Sequence, residues 1–337
     1  MIPLKKIKLG QFFTKGAGWL QPQICDFILK SKCDVVYDPF AGAGDLFRAV
    51  QQFGFQKKMG LDIDPTLGWK QNDSLLHIPP EPGAIIITNP PYLAKQSATR
   101  KKIDMSHYFD DSGYDDLYLI ALDKMIQAQK YVVAIIPESF LNSHFKRKDL
   151  LSSVTVLEDN PFEDTENPVC VACFDGVPKS PQKILIYKNG EFVNTLSEIQ
   201  KIRIQPQHDV SIVFNDKSGW LGLRAIDSTD DKNWIHFDFK DAISYDWDNN
   251  IKITSRHMSL INVNIPHDLR PSFINAANQI LNDIRHQSHD ILLTPFKGNT
   301  KSGIRRRRLD FRLARAVLEQ AYLNSIPKEY HEQYRLL

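Results

Sequence analysis

Four consecutive residues, Asn89-Pro90-Pro91-Tyr92, carry the groups needed to grip a planar amine. Asparagine supplies a side-chain carbonyl oxygen. Pro90 offers a backbone carbonyl with no N–H of its own, and its ring fixes φ near about −65°. A residue before proline is pushed to extended geometry, so Asn89 is held in a narrow range. Two acceptor oxygens on a stiff turn can take both hydrogens of an amino group, and Tyr92 adds a flat face beside them. A Pro-Pro turn closing a strand would read the same way, so the neighbouring segments have to decide.

Upstream, residues 35–44 read Val-Val-Tyr-Asp-Pro-Phe-Ala-Gly-Ala-Gly, and a helical pattern opens at Asp45. Gly42 and Gly44 let the backbone approach a ligand at a strand–helix junction. Asp62, followed by Ile63, stands eighteen residues after Gly44, where an open α/β sheet meets ribose hydroxyls. Asp73 and Ser74 follow the next connection, where a carboxylate could accept from an adenine amino group. A dinucleotide loop competes, but Phe47 occupies the place of its third glycine. Asp38 is also ill-suited to a pyrophosphate and well suited to a ligand carrying an ammonium. S-adenosylmethionine therefore fits better than NAD.

Positioning these groups calls for alternating strands and helices. Apolar runs predict strands near 34–37, 57–62, 84–88 and 131–136, and helices near 20–31 and 116–129. That alternation predicts an α/β, Rossmann-like, mostly parallel sheet. A turn-rich stretch, Asp175 to Gln182, marks a boundary, giving a first domain over 1–178 and a smaller mixed α+β region over 179–337. Beyond it, Lys188-Asn189-Gly190 predicts a hairpin with a primed turn, residues 205–270 read as short strands and loops, and helix is expected from Pro271 onward.

With these motifs in place, the chain resembles the class I, S-adenosylmethionine-dependent amino-methyltransferases of the N6-adenine DNA type. The segments that carry the likeness are Gly10-Gln11-Phe12-Phe13-Thr14, Asp38-Pro39-Phe40-Ala41-Gly42-Ala43-Gly44 and Asn89-Pro90-Pro91-Tyr92, in the gamma order, with residues 114–144 continuing it. The resemblance implies that Gln11, Phe12, Phe13 and Thr14 pack over the methionine end of the cofactor. It implies a cofactor site of Asp38, Pro39, Phe40, Ala41, Gly42, Gly44, Asp62, Ile63, Asp73, Ser74, Asn89 and Pro91, and catalysis by residues 89–92. Tyr92 and Phe162 would face a flipped base. DNA is the implied partner, alongside a companion restriction endonuclease. RNA, N4 of cytosine and a protein glutamine remain alternative targets of closely similar tetrapeptides.

Composition bounds the remainder. The chain has 337 residues, 42% of them apolar, enough for two cores, and a formal charge of +2. No apolar run is long enough for a membrane span, no secretory signal is evident at the start, and a cytoplasmic monomer is expected. Cys170 and Cys173 lie in a strand-like run that would point them to opposite faces, so buried thiols are expected and no metal site. Between Lys297 and Arg315, eight basic residues meet a single acid, Asp310. If that segment is helical from Gly303, Arg305, Arg308, Arg312 and Arg315 share one face. With Lys301 and Arg306 they form a candidate phosphate-binding stripe.

Overall fold

A computed structural model of the protein describes residues 16–159, 161–162, 167–208 and 210–327. Gln11, Phe12, Phe13 and Thr14 lie outside the described residues. The chain divides into two compact units, Met1–Ser197 and Glu198–Leu337.

The first unit holds a nine-stranded sheet. Its strands are β1 (Val35–Asp38), β2 (Lys57–Asp62), β3 (Lys70–Gln71), β4 (Ala84–Thr88), β5 (Tyr131–Pro137), β6 (Leu151–Leu157), β7 (Val169–Phe174), β8 (Leu185–Lys188) and β9 (Glu191–Thr195), ordered 3-2-1-4-5-7-6-8-9. Strands β1 to β5 are mutually parallel, and β7 runs antiparallel between β5 and β6. This is the mostly parallel, Rossmann-like sheet that the sequence predicts. All five residues of β4 are buried, as a strand covered on both faces requires. Ile85, Ile86 and Ile87 each stabilise the fold by roughly 1.5–3 kcal/mol through burial.

The helices of this unit are α1 (Pro22–Ser31), α2 (Asp45–Ala49), α3 (Lys95–Arg100), α4 (Ser106–Phe109) and α5 (Leu117–Ala128). α1 starts with Pro22, whose fixed φ suits a first turn, and stops where Lys32 turns left-handed at φ 54°. Its buried Ile24 and Ile28 pack with Leu46 and Phe47 of α2 against Val36, Ile85, Ile87, Val133 and Ile135. α5 is buried along most of its faces and packs on β5. Cys170 and Cys173 are both buried on β7, and burial raises both thiols.

The domain boundary expected at 178/179 moves to 197/198. The hairpin does have the primed turn, with Asn189 at φ 46° and Gly190 at φ 90°. However, β8 pairs in parallel with β6, so the hairpin extends the large sheet and belongs to the first unit. A further helix, α6 (Leu196–Ile202), spans the division.

The second unit contains a four-stranded antiparallel sheet, made of β10 (Ile212–Phe214), β11 (Leu221–Arg224), β12 (His236–Phe239) and β13 (Met258–Val263) in the order 10-13-11-12. The helices α7 (Trp247–Asn250), α8 (Arg270–Gln287) and α9 (Phe311–Ser325) accompany it, with a separate ribbon of β14 (Thr294–Asn299) and β15 (Arg305–Arg308). The expectation of helix throughout the C-terminal stretch is corrected here. Gly303, at φ +87°, closes a hairpin, and Asp310 caps α9 by accepting from the Leu313 amide at 2.9 Å, so helix begins only at Phe311. Arg305 and Arg308 therefore lie on a strand rather than on a helix face shared with Arg312 and Arg315.

One buried carboxylate ties this unit together. Asp227 is fully buried and accepts from both terminal nitrogens of Arg285, at 2.9 and 3.0 Å, and from the amides of Ile235 and Arg307, each at 3.0 Å. Arg285 also donates to Asp290 at 2.7 Å.

Candidate functional site

The order of strands reverses between β1 and β4, where connections leave in opposite directions and open a crevice beyond the carboxyl ends of the strands. The glycine loop follows β1, and Asn89 follows β4. Both motifs therefore reach one cleft, which has a volume of about 1050 Å³ including its open mouth. Asp38 to Ala43, Asp62, Ile63, Asp73, Ser74, Asn89 and Pro91 all line it. Gly44 does not, although its left-handed φ of +78° is needed to enter α2.

The glycine loop is held by its own amides. Phe40 N–H donates to Asp38 Oδ1 at 3.0 Å, Ala41 to the Leu61 carbonyl at 2.9 Å, Gly42 to Asp62 Oδ2 at 2.9 Å and Gly44 to the Ala41 carbonyl at 2.8 Å. With those N–H groups engaged and Asp38, Asp45 and Asp62 on the wall, a pyrophosphate would meet carboxylates rather than a cradle of donors. The dinucleotide reading loses on this geometry. Asp62, expected on ribose hydroxyls, spends one oxygen on Gly42 and the other on the Asp64 amide at 2.9 Å.

Two supports were not visible in the sequence. Thr88, the last residue of β4, donates its hydroxyl to Asp38 Oδ1 at 2.6 Å, linking the two motif-bearing strands. Burial pushes the Asp38 carboxyl up to about 7, against the opposing pull of the Thr88 and Phe40 bonds. Trp69 donates its indole N–H to the Gly42 carbonyl at 2.8 Å and lays its ring over Gly60 and Gly44. A Cβ on Gly60 would come within 2.5 Å of that ring, so the close approach requires glycine.

At the far wall, Asp73 accepts from the Leu75 amide at 3.1 Å and from the Tyr108 hydroxyl at 2.7 Å. Tyr108 and Met105, on or beside the four-residue helix α4, line the cleft with Leu117. Nothing in their local sequence announces this role, because it depends on a contact across 35 positions.

In the tetrapeptide, Asn89 and Pro91 line the cleft, whereas Pro90 is buried and Tyr92 half-buried. The Tyr92 hydroxyl meets the Asn89 side-chain oxygen and the Ile135 carbonyl. Phe162 is buried and packs edge-to-face on Tyr92, with ring centroids 6.4 Å apart and planes at 64°. A base sandwiched between two rings needs parallel faces roughly 7 Å apart. The two aromatics are thus brought together, but not as a sandwich.

Residues 84–162 match the Eco57I restriction-modification methylase family. The matched stretch is less than a quarter of the 337-residue chain. It runs from β4 through the tetrapeptide to Phe162, and so includes Asn89 and Pro91 on the cleft wall. No curated protein matches the sequence significantly. Among solved structures, a methyltransferase subunit of a type I restriction-modification system from Streptococcus thermophilus is 18% identical, covering 57% of this chain and 52% of that one, at a TM-score of 0.39. The type I restriction enzyme EcoKI M protein is 13% identical over 79% of this chain and 70% of its own, at 0.34. A Listeria monocytogenes chain provisionally assigned to the class I S-adenosylmethionine-dependent methyltransferases is 14% identical over 50% and 64%, at 0.35. The chain spans about half the Streptococcus subunit and under two thirds of the Listeria chain.

S-adenosylmethionine is the cofactor that the sequence motifs imply, and the residues lining the cleft fit it. Asp38 offers a buried carboxyl for an ammonium and Asp73 a carboxylate for an amino group, while Phe40, Leu46, Ile63 and Met105 give apolar walls for a nucleoside. No helix among the described residues is long and apolar enough to cross a membrane. Half of the proposed basic stripe makes contacts within the fold: Arg305 is buried, Arg306 donates through Nε to the Asp227 carbonyl, and Arg315 donates to the Ile212 carbonyl at 2.5 Å. Lys301 and Arg312 are exposed and Arg308 is half-buried.

Proposed function

We propose that the protein transfers a methyl group from S-adenosylmethionine to the exocyclic N6 of adenine in DNA, with the base turned out of the helix. The observation that carries this reading is the shared cleft: Asn89 and Pro91 line the same cavity as Asp38 and the glycine loop. S-adenosylmethionine, when bound, supplies an electrophilic methyl group.

The chain's own residues provide the rest. The lone pair of an adenine amino group is delocalised into the ring and is a poor nucleophile. Asn89 and the Pro90 carbonyl accept its two hydrogens, drawing the nitrogen toward tetrahedral geometry and freeing that lone pair. Orientation and fixed dipoles of this kind are worth up to about 7–11 kcal/mol in favourable cases. No strong base is needed, since a methylated ammonium gives up its proton readily. In a duplex the amino edge is paired and stacked, so the base must leave the helix at a cost of a few kcal/mol. Tyr92 would offset part of that by stacking, at roughly 1–3 kcal/mol per base, with Phe162 bracing its edge.

The unit beginning at Glu198 is assigned to target recognition, and the protein to the cytoplasm as a monomer beside a companion endonuclease. Tritiated-methyl transfer to DNA, RNA and protein extract side by side tests the reading. Label in N6-methyladenine of DNA is expected, and label in N4-methylcytosine, RNA or glutamine would replace it. Asn89→Ala should abolish transfer while leaving cofactor binding intact.

A further inference from the structure

We propose that the β14–β15 ribbon enters the major groove of duplex DNA, with Lys297, Lys301, Arg306 and Arg308 facing the nucleic acid while Arg305 and Arg307 anchor the ribbon to its unit. This rests on the DNA reading above and names the element that would make the contact.

From Ile291 to Leu309 the chain carries Lys297, Lys301 and Arg305 to Arg308 and no aspartate or glutamate. In the ribbon, Thr294 pairs with Arg308, Pro295 with Arg307 and Asn299 with Arg305. Strand alternation then sorts the arginines. Arg305 and Arg307 are 3% and 1% exposed, whereas Arg306 and Arg308 are half-buried, and Lys297 and Lys301 are exposed. A run of four like residues is thus split into two that hold and two that face out.

The outward face is built before any ligand arrives. Arg306 donates through Nε to the Asp227 carbonyl at 2.8 Å and lies over the Phe296 ring, 5.0 Å from its centroid. At the tip, Ser302 donates through its amide and hydroxyl to Asp231 at 2.9 and 2.7 Å, and the Lys301 amide donates to the Thr229 carbonyl at 3.0 Å. The Asp231 carboxylate beside the tip is thereby turned onto Ser302.

A two-stranded ribbon fits the B-form major groove, about 12 Å wide, and does not fit the deep, narrow groove of A-form RNA. The absence of acids from the whole ribbon sequence matches a polyanion.

The test is binding of the full chain to a fluorescent duplex of about 30 base pairs across a salt series. Lys297→Ala, Lys301→Ala and Arg308→Gln, combined, remove only side chains that are not buried. That variant should bind at least about tenfold more weakly, with a salt slope smaller by about 2–3. Lys217→Ala, an exposed lysine of the same unit outside the ribbon, should bind like the parent. Arg307→Ala should instead lower the melting temperature.

Parent-like affinity and slope in the triple variant would overturn the proposal, as would an equal loss on double-stranded RNA of the same sequence. If the parent methylates DNA while the triple variant binds normally, the ribbon inference falls alone. If the parent methylates only RNA or protein, the functional reading falls and takes the ribbon with it.

Discussion

The hydroxyl of Tyr92 sits against the side-chain oxygen of Asn89 and lies 2.7 Å from the Ile135 carbonyl on the neighbouring strand. A phenol has one proton to give, so it serves one acceptor at a time. Ile135 can keep the hydroxyl satisfied when Asn89 turns its oxygen to a substrate amine. On the proposed reading the tyrosine therefore has two duties, presenting a ring and holding the Asn89 side chain.

Tyr92→Phe separates them. It keeps the ring and removes one hydrogen bond, worth about 0.5–1.5 kcal/mol, so a roughly 2–10-fold fall in kcat with KM little changed is expected. Tyr92→Ala should lose far more and raise KM for DNA as well. Steady-state kinetics of the two variants on one duplex decides this, and equal losses would assign the whole effect to the hydroxyl.

If Asp38 holds the cofactor's ammonium as proposed, cofactor binding should depend on pH. Its carboxyl is raised by burial to about 7, so the folded chain holds a proton that the unfolded chain releases nearer pH 4. Stability contributed by this group therefore falls as pH rises from about 4 to about 7. Binding of a cation runs the other way: affinity should drop about tenfold per unit below pH 7, with proton release on binding near neutrality. Calorimetry in buffers of different ionisation heat measures that proton. Thr88→Val, which removes the bond to Oδ1, should move the midpoint upward.

Trp69 is expected to position the cofactor loop. Trp69→Phe removes the hydrogen bond to Gly42 and should weaken cofactor binding by about 2–10-fold. Gly60→Ala forces a methyl group into the indole and should destabilise the first unit by about 1–3 kcal/mol. Cofactor titration and thermal melting read these out, and a melting temperature unchanged by Gly60→Ala would contradict the packing argument.

Asp227 should matter to folding alone. Asp227→Ala strands Arg285 in a buried setting, and about 3–5 kcal/mol of stability should go with it. Denaturant melts of the variant test this, and a loss below about 1 kcal/mol would show that Asp290 alone satisfies the arginine.

The two ligand-facing motifs were legible because each makes a rare demand on the backbone. Gly44 must turn left-handed, and Asn89 precedes proline. Strands β1, β4 and β5 were legible as apolar runs bounded by polar turns. The arginine run was misread because helical spacing and strand alternation both fit it. The deciding signals were the Gly303 turn and the Asp310 cap, which make sense only together. Thr88 and Tyr108 were invisible because their roles arise from partners 50 and 35 positions away, Asp38 and Asp73. The domain boundary moved because a hairpin can join a sheet on either side of a linker, and local sequence does not say which.

Gly60 and Trp69 also constrain how this protein can diverge. Any side chain at 60 is unacceptable while an indole covers it, and a smaller residue at 69 leaves a hole beneath the loop. The two positions should drift as a couple: descendants that enlarge one will have trimmed the other, and most will have changed neither.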